Sequence, residues 1–282
     1  MHSFWTNTIY YIGLFATSVL TLVIIFTKTP ERKKIVVFYF AVLGLTYWME
    51  ALLVLILNAY SYYPMITPDD RFFDTVLGNI FSQVSVSASA VLLCVLGLSN
   101  WWLLGFAVIY YILDMLFAGL GIYAHHWYHS IYTLAGFLIF ARIVAYWYRT
   151  VIGSPSVKTF YPTLFLSVFG FASNLLNTAL KLLDIRVFQS GIFPLDPSRD
   201  HTATALIYGP VLILISIALY RWKTRWYCKG FVFLLLLICQ YGLIQLEVLR
   251  IQPGWQALVL PLDLAGYYGL TAVMYKSLAV QK

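Results

Sequence analysis

The sequence predicts an all-α, polytopic transmembrane helix bundle with about nine spans, and three observations lead to this prediction. The 282 residues are 61% hydrophobic and only 10% charged, with a mean hydropathy of +0.81. Water-soluble domains carry about 25% charged residues, so this composition does not suit a surface exposed to water. The chain also contains nine apolar runs of spanning length, and most of its basic residues fall in alternate connections between them.

Each predicted span is an apolar run of about 20 residues, the length that crosses the hydrocarbon core as a helix. Short polar breaks, or breaks that contain Gly or Pro, separate the runs. The shortest break is Ser99-Asn100, which Gly97 and Trp101 flank. The nine predicted spans are 8–27, 35–58, 74–98, 101–123, 130–149, 160–183, 202–220, 230–250 and 258–277.

The distribution of Lys and Arg predicts the orientation of the chain in the membrane. Twelve of the 18 basic residues fall on one side, whereas the connections on the other side contain five, accompanied by six aspartates. Cytoplasmic connections are enriched in Lys and Arg. The N-terminus is therefore expected outside and the C-terminus inside a bacterial plasma membrane. The net charge of +7 follows from these connections and does not indicate nucleic-acid binding.

Two long connections on the predicted outer side resemble each other, which indicates an internal repeat. One contains Tyr63-Pro64 and then a Pro-Asp-Asp-Arg turn ending at Arg71, and the other contains Phe193-Pro194 and then an Asp-Pro-Ser-Arg turn ending at Arg199. An even number of spans in each unit would insert both units in the same direction, as in parallel-repeat membrane folds. The predicted parts of the chain are a leading helix with its basic loop, 1–34, and two four-helix units, 35–159 and 160–282.

Acidic residues occupy matching places in the two predicted units. Asp74 and Asp200 are predicted as N-caps or first-turn acids of the helices that follow the two long connections. Asp114 follows the first connection and Glu247 the second at a similar distance, which makes them predicted counterparts.

The first unit also resembles a known family. The motifs are YYPMITPDDRFFD at 62–74, a Gly-Asn helix start at 78–79 and DMLFAGLGIY at 114–123, followed by Trp127 and Tyr132. Over roughly residues 35–150 the chain is similar to an uncharacterised family of small multi-pass membrane proteins of endospore-forming Firmicutes. The resemblance implies a membrane location and topology, and it implies no chemistry.

Ionisable residues within the predicted spans indicate an internal site. A charge in the hydrocarbon region is costly and usually has a partner or a task. Glu50, Asp114, Glu247 and Asp263 are all predicted in the outer half of the membrane, and Arg142 is the basic residue left within a span. Arg142 is expected to pair with an acid, to bind a lipid phosphate or to reach the inner interface.

The sixth predicted span carries a polar stripe whose members recur every three or four residues. They are Ser167, Gly170, Asn174, Asn177 and Lys181. This face is expected to point into the bundle, either to pack against another helix or to line a cavity with Glu50 and Asp114. The predicted ligand-binding residues are Glu50, Asp114, Arg142, Asn174, Asn177 and Glu247.

A histidine-rich turn follows the fourth predicted span, where His125, His126 and His129 alternate with Trp127 and Tyr128. His125 and His129 are four residues apart, a spacing that suits two ligands of one zinc ion, with a nearby carboxylate as a third. The same composition is typical of the aromatic belt at a membrane–water interface. A zinc site and an interfacial turn therefore both stay open.

Three functional hypotheses follow from these residues. The first is a protein that binds or transports a lipid or a small polar ligand through a polar cavity open to the outside. The second is a zinc-dependent membrane enzyme acting on a lipid, and the third is a structural subunit of a membrane complex with partners that the sequence does not identify. No nucleophile elbow, phosphate-binding loop or other catalytic motif occurs in the sequence, which favours a protein without catalytic activity.

Overall fold

The computed structural model describes residues 4–153, 155–222 and 225–279. Within these residues, nine helical segments are long and apolar enough to cross a membrane, which confirms the predicted spans and fits a multi-pass membrane protein. The helices are α1 (Phe4–Lys28), α2 (Arg32–Glu50), α3 (Arg71–Val95), α4 (Asn100–Gly119), α5 (Ser130–Ile152), α6 (Val157–Val168), α7 (Asn177–Leu182), α8 (Pro197–Arg221), α9 (Trp226–Gln245) and α10 (Gln256–Leu278).

Two of the spans contain π-helical segments, which the sequence analysis did not predict. The π-helical segment Ala51–Ile56 extends α2, and the segment Phe169–Leu176 joins α6 to α7 into one span. A π-helical segment changes the hydrogen-bond pattern of the helix and often occurs near functional sites. At the first segment, the carbonyl of Leu55 accepts a hydrogen bond of 2.9 Å from Nε of Arg199 on α8.

Two short antiparallel strand pairs lie at the connections between the spans; each is called a hairpin below, although two spans separate its strands in the sequence. Strand β1 (Tyr60–Tyr62) pairs with β2 (Tyr123–His125), and β3 (Arg186–Phe188) pairs with β4 (Leu249–Ile251). Both hairpins lie at the same end of the bundle, which we call the hairpin face. The opposite end is called the basic face, after the Lys and Arg residues near its connections.

Four aspartates hold the connections that lead into α3 and α8 in place through hydrogen bonds. Asp70 and Asp196 are the N-caps, and each accepts a backbone N–H three residues later at 3.0 Å. Asp74 and Asp200 are first-turn acids, as one of the two predicted alternatives stated. Asp74 accepts three backbone N–H groups of its connection and Asp200 accepts two, at 2.8–3.0 Å. These bonds hold both connections against the hairpin face.

The span that begins with α6 crosses α2 with the two backbones in contact. A Cβ atom at Gly44 would lie 2.1 Å from the carbonyl oxygen of Leu166, and one at Gly170 would lie 2.3 Å from the carbonyl oxygen of Phe40. Small residues allow such close approach between membrane helices. The surrounding apolar core is formed mainly by α2, α3, α5, α6, α8 and α10.

Candidate ligand cavity

A cavity of about 190 Å³ lies in the half of the bundle next to the hairpin face. Helices α1 to α5 surround it, and strands β1 and β2 cover it. Its lining contains seven tyrosines, three phenylalanines and two carboxylates, so its walls are mainly aromatic. The two carboxylates are Glu50 on α2 and Asp114 on α4, two of the residues that the sequence analysis predicted for a ligand site.

The first carboxylate, Asp114, is held by partners on β2 and α5. Its Oδ1 lies 2.9 Å from Nε2 of His125, and its Oδ2 accepts a hydrogen bond of 2.9 Å from the hydroxyl of Thr133. The hydroxyl of Tyr128 lies 3.1 Å from that of Thr133. Because Thr133 donates its proton to Asp114, Tyr128 donates to Thr133, and the chain of bonds leads from Tyr128 to the carboxylate.

The second carboxylate, Glu50, is half-buried at the end of α2. The hydroxyl of Tyr60 on β1 donates a hydrogen bond to its Oε2. The side chain of the buried Asn79 on α3 hydrogen-bonds to the same carboxyl group. Both partners are neutral, so hydrogen bonds orient this carboxylate without a positive charge to balance it.

The tyrosines of the first hairpin form the roof of the cavity. Their rings pack closely, with centroids 4.7 Å apart for Tyr62 and Tyr123 and 5.0 Å apart for Tyr60 and Tyr128. Burial raises the pKa of Tyr60 well above its usual range, and the nearby Glu50 raises it further. Burial likewise raises the pKa of Tyr128 to about 12. Both hydroxyls therefore stay protonated at neutral pH and act as hydrogen-bond donors.

The cavity lacks a basic side chain that could balance the charge of its carboxylates. Of the residues that the structure describes, no Lys or Arg lines the cavity. The basic group beside the carboxylates is an imidazole: Nε2 of His125 lies 2.9 Å from Oδ1 of Asp114. Two carboxylates in apolar surroundings are costly to ionise without a cation nearby. The described lining of the cavity therefore carries two acidic side chains and no Lys or Arg to pair with them.

The mouth of the cavity lies on the flank of the bundle, between α2 and α5. Near the basic face these helices are packed together, and Phe38 contacts the ring of Trp147 with centroids 5.3 Å apart. Near the hairpin face, the lining residues Met49 on α2 and Tyr132 and Gly136 on α5 are exposed. On the side of the hairpin face, the buried side chains of Tyr60, Tyr62 and Tyr123 cover the cavity.

A second polar cluster lies beneath the second hairpin, and it is closed. The guanidinium of Arg186 on β3 forms an ion pair of 2.7 Å with Asp263 on α10, and the two side chains are only 2% and 3% exposed. Asp263 also accepts a hydrogen bond of 2.6 Å from the hydroxyl of Tyr208, to which Gln240 donates. Burial lowers the pKa of Arg186, but the adjacent Asp263 carboxylate more than offsets this, and overall the pKa is raised. The guanidinium thus keeps its charge, 5.4 Å from the ring centre of Phe188.

Asn174 and Asn177 lie in the interior, as the stripe on the sixth span predicted, but they do not line the cavity. The amide of Asn174 donates a hydrogen bond of 2.8 Å to Gln83, and the Oδ1 of Asn177 accepts one from Arg186. The interpretation that they share a cavity with Glu50 is therefore corrected. Their polar atoms bond to α3 and β3 instead.

Arg142 and Glu247, two other predicted ligand-binding residues, also lie away from the cavity. Arg142 is exposed on the flank of α5, and its guanidinium donates a hydrogen bond of 3.1 Å to Asn100 at the start of α4. Glu247 was predicted within a span, but α9 ends before it. It lies in a turn with φ +57°, its side chain is 81% exposed, and it is 3.7 Å from Arg250.

The histidine turn fixes the first hairpin to the end of the π-helical segment. Nδ1 of His126 lies 2.8 Å from the carbonyl oxygen of Asn58, and the indole of Trp127 donates a hydrogen bond of 2.8 Å to the carbonyl of Leu57. Among the described residues, no three His, Cys, Asp or Glu side chains are placed to hold a metal ion together. The zinc prediction for His125 and His129 therefore rests on their spacing alone.

Sequence reasoning missed the tyrosine roof and the closed ion pair. Tyr60, Tyr62 and Tyr123 lie on strands of three residues, which are too short for an alternating pattern to identify. Asp263 was predicted in the outer half of the membrane without an assigned partner, and Arg186 was not singled out. Tyrosine recurs at 60 and 62, but two positions are too few to predict the roof.

Comparison with known proteins adds no relative: no family model matches the chain, and no curated protein or solved structure shows significant similarity to it. The resemblance to the Firmicutes family stays a prediction.

Proposed function

We propose that this chain is a bacterial plasma-membrane protein that binds an amphipathic organic cation, meaning an apolar molecule with a protonated or quaternary amine. One observation carries the proposal. Glu50 and Asp114 line one aromatic cavity, and no Lys or Arg among its described lining residues balances them. The ammonium group lies between the carboxylates, and the apolar part of the ligand packs against the rings.

The chemistry of the lining suits a cation. Aromatic rings attract an ammonium group with about 0.5–2 kcal/mol each, depending on how far the cation is desolvated. A hydrogen bond between charged partners contributes roughly 1.5–3 kcal/mol. The neighbouring hydroxyls of Tyr60 and Thr133 already donate to the carboxylates, so they orient the acceptor oxygens toward the ligand.

The position of the mouth indicates how the ligand enters. With the hairpin face outside, as the charge distribution predicts, a mouth between α2 and α5 opens into the outer half of the membrane. A molecule that partitions into the bilayer reaches this mouth, whereas the tyrosine roof separates the cavity from the external water. An amphipathic ligand meets both requirements, because its amine suits the carboxylates and its apolar part suits the route.

A parallel internal repeat, which we include in the proposal, supports the choice of a cation. Corresponding elements are separated by a constant 126 positions: β1 begins at Tyr60 and β3 at Arg186, and α3 begins at Arg71 and α8 at Pro197. At this spacing Asp114 corresponds to Gln240, and Glu247 corresponds to Gly121. The predicted pairing of Asp114 with Glu247 is replaced by this register.

The closed cluster of the second unit then corresponds to the open cavity of the first. Arg186, Tyr208, Gln240 and Asp263 have Tyr60, Ser82, Asp114 and Phe137 as their counterparts, and all four counterparts line the cavity. In the second unit the protein supplies its own cation, Arg186, to a buried carboxylate beside aromatic rings. The first unit has carboxylates and aromatic rings at the corresponding positions but no Lys or Arg among its described lining residues, and the ligand supplies the cation.

Removing either cavity carboxylate is expected to weaken binding of a cationic amphiphile by roughly tenfold to a hundredfold, because the cation loses one of its two close charge partners. The variants are Glu50→Gln and Asp114→Asn. Binding of octyltrimethylammonium to the protein in lipid nanodiscs is measured by calorimetry. Octanol and octanoate are the matched probes, since they keep the chain and remove or reverse the charge.

The control for these variants is Glu247→Gln, which removes an exposed carboxylate outside the cavity and is expected to bind like the wild type. Equal binding of octanol and octyltrimethylammonium by the wild type would contradict the choice of a cation. An unchanged affinity in both cavity variants would contradict the site.

Narrowing the mouth is expected to slow ligand entry without unfolding the protein. A Cβ atom at Gly136 meets no atom within 4 Å, so Gly136→Trp places a large ring in open space at the mouth. The expected result is a loss of at least tenfold in the association rate of octyltrimethylammonium. The matched control is Gly269→Trp, on α10, where the space is equally open and the residue does not line the aromatic cavity. Unchanged association in Gly136→Trp would exclude this route of entry.

A further inference from the structure

A second cavity, of about 320 Å³, lies in the half of the bundle next to the basic face, and nothing described so far uses it. It is bounded by α8, α9 and α10. Its α8 wall contains Leu212, Ile215, Ser216 and Leu219, and its α9 wall contains Lys229, Gly230, Phe233 and Leu236. Within each wall the lining residues recur at helical spacing, so each wall is one continuous helical face. We call this cavity the α8–α9 cleft.

The cleft exists because α9 packs loosely on the rest of the bundle. Of the residues described in α9, only Gln240 is buried, and it lies toward the hairpin face. Nearer the basic face, Phe231 and Leu234 point outward and are 69% and 56% exposed. The apolar walls of α8 and α9 therefore face each other across a space that no protein side chain in the described part of the chain fills.

A basic rim lies at the end of the cleft. The ammonium of Lys229 donates a hydrogen bond of 2.7 Å to the hydroxyl of Tyr268, and no carboxylate of the described residues is within ion-pair distance of it. Arg221 and Arg225 flank the same end, and both are exposed. The sequence contains no Asp or Glu between Asp200 and Glu247. The rim is therefore a cationic site without an internal counter-ion.

We propose that an anionic phospholipid occupies this cleft, with one acyl chain between α8 and α9 and its phosphate at Lys229, Arg221 and Arg225. The walls from Lys229 to Leu236 give a depth of roughly 10 Å at 1.5 Å per residue. A cavity of 150 Å³ holds one benzene, so 320 Å³ suits about a dozen carbon atoms of one chain. A transmembrane helix is about 10–12 Å wide with its side chains and does not fit into that space.

The charge of the rim selects the headgroup. Juxtamembrane Lys and Arg residues attract anionic lipid with about 1 kcal/mol each. A zwitterionic lipid offers the same acyl chain, but its own amine cancels most of this attraction. The lipid site shares no residue with the aromatic cavity, so the test of lipid binding is independent of the test of amine binding.

The test is native mass spectrometry of the full-length protein released from nanodiscs that contain equal amounts of phosphatidylglycerol and phosphatidylcholine. The wild type is expected to retain one phosphatidylglycerol with at least tenfold preference. Gly230→Phe fills the cleft, since a Cβ there meets no atom within 4 Å, and is expected to lose the lipid. Lys229→Gln is an interfacial change that leaves the cleft open, and it is expected to lose the preference for the anionic headgroup.

Two matched controls accompany these variants. Gly242→Phe lies on the same helix, also in open space but outside the cleft, and Lys276→Gln removes an exposed lysine elsewhere at the basic face. Both are expected to retain the lipid like the wild type. Added glycerol 1-phosphate is expected not to displace it, because the acyl chain contributes to binding.

Three results would overturn the proposal. Equal retention of the two lipids by the wild type would contradict the proposed phosphate site. Undiminished phosphatidylglycerol in both Lys229→Gln and Gly230→Phe would place the lipid elsewhere. A dimer that Gly230→Phe converts to monomer would show that a second copy of the chain covers the cleft instead. If Gly230→Phe fails to fold, the headgroup preference of Lys229→Gln by itself decides whether the proposed lipid site is correct.

Discussion

Arg186→Met is expected to lower the free energy of unfolding by about 3–5 kcal/mol, because it leaves the Asp263 carboxylate buried without its cation. The ion pair of 2.7 Å is enclosed by protein, with 2% and 3% exposure of the two side chains, so water cannot replace the guanidinium. Tyr208 and Gln240 would remain as neutral partners of the carboxylate. Unfolding is measured by denaturant titration in detergent micelles, with helix content as the readout.

The double variant Arg186→Met/Asp263→Leu separates the loss of the pair from the isolated charge. Replacing a whole buried ion pair with apolar side chains of similar size is often neutral, so the double variant is expected to recover most of the stability. Arg250→Met is the control, because Arg250 and Glu247 are exposed and 3.7 Å apart, and it is expected to stay within about 0.5 kcal/mol of the wild type. A double variant no more stable than Arg186→Met would contradict the explanation.

The spans could be predicted from the sequence because membrane insertion depends on a local property. About 20 consecutive apolar residues suffice to define a spanning helix, and all nine predicted runs coincide with such helices in the described residues. The first-turn roles of Asp74 and Asp200 were also predictable, since a carboxylate at a helix start is stabilised locally. Glu247 shows what hydropathy alone does not predict. The apolar run continues past the end of α9, and hydropathy does not register a turn with positive φ.

The cavity was only partly predictable, because its lining comes from five helices and a hairpin. Glu50 and Asp114 stood out as acids within apolar runs, whereas the tyrosines around them are common near membrane interfaces and carried no separate signal. The helical periodicity of the polar stripe correctly predicted that Asn174 and Asn177 face the interior. It could not say which neighbour they face, since that depends on how α2 and the α6 span cross, and this crossing has no local signature.

The crossing of α2 and the α6 span depends on two glycines, Gly44 and Gly170. Gly44→Ala and Gly170→Ala are each expected to lower the free energy of unfolding by about 3 kcal/mol or more, through overpacking against backbone atoms that cannot rotate away. The added methyl groups would lie 2.1 Å from the carbonyl oxygen of Leu166 and 2.3 Å from that of Phe40. The sign of the change in the free energy of unfolding distinguishes a clash from an open site. In an unobstructed helix, replacing glycine with alanine normally stabilises the helix by up to about 1 kcal/mol.

Gly13→Ala on α1 supplies the matched control, since its Cβ meets no atom within 4 Å and the substitution is expected to be neutral or stabilising. The two harmful substitutions act on one contact, so the double variant should cost less than the sum of the single ones. Glu50 lies six residues beyond Gly44 on α2, and a displaced α2 moves it away from Tyr60. Reduced binding of octyltrimethylammonium by Gly44→Ala, measured where the variant is still folded, would tie the crossing to the cavity. Losses below about 1 kcal/mol in both single variants would mean that the helices can separate at this point, and the backbone contact would then not set the position of Glu50.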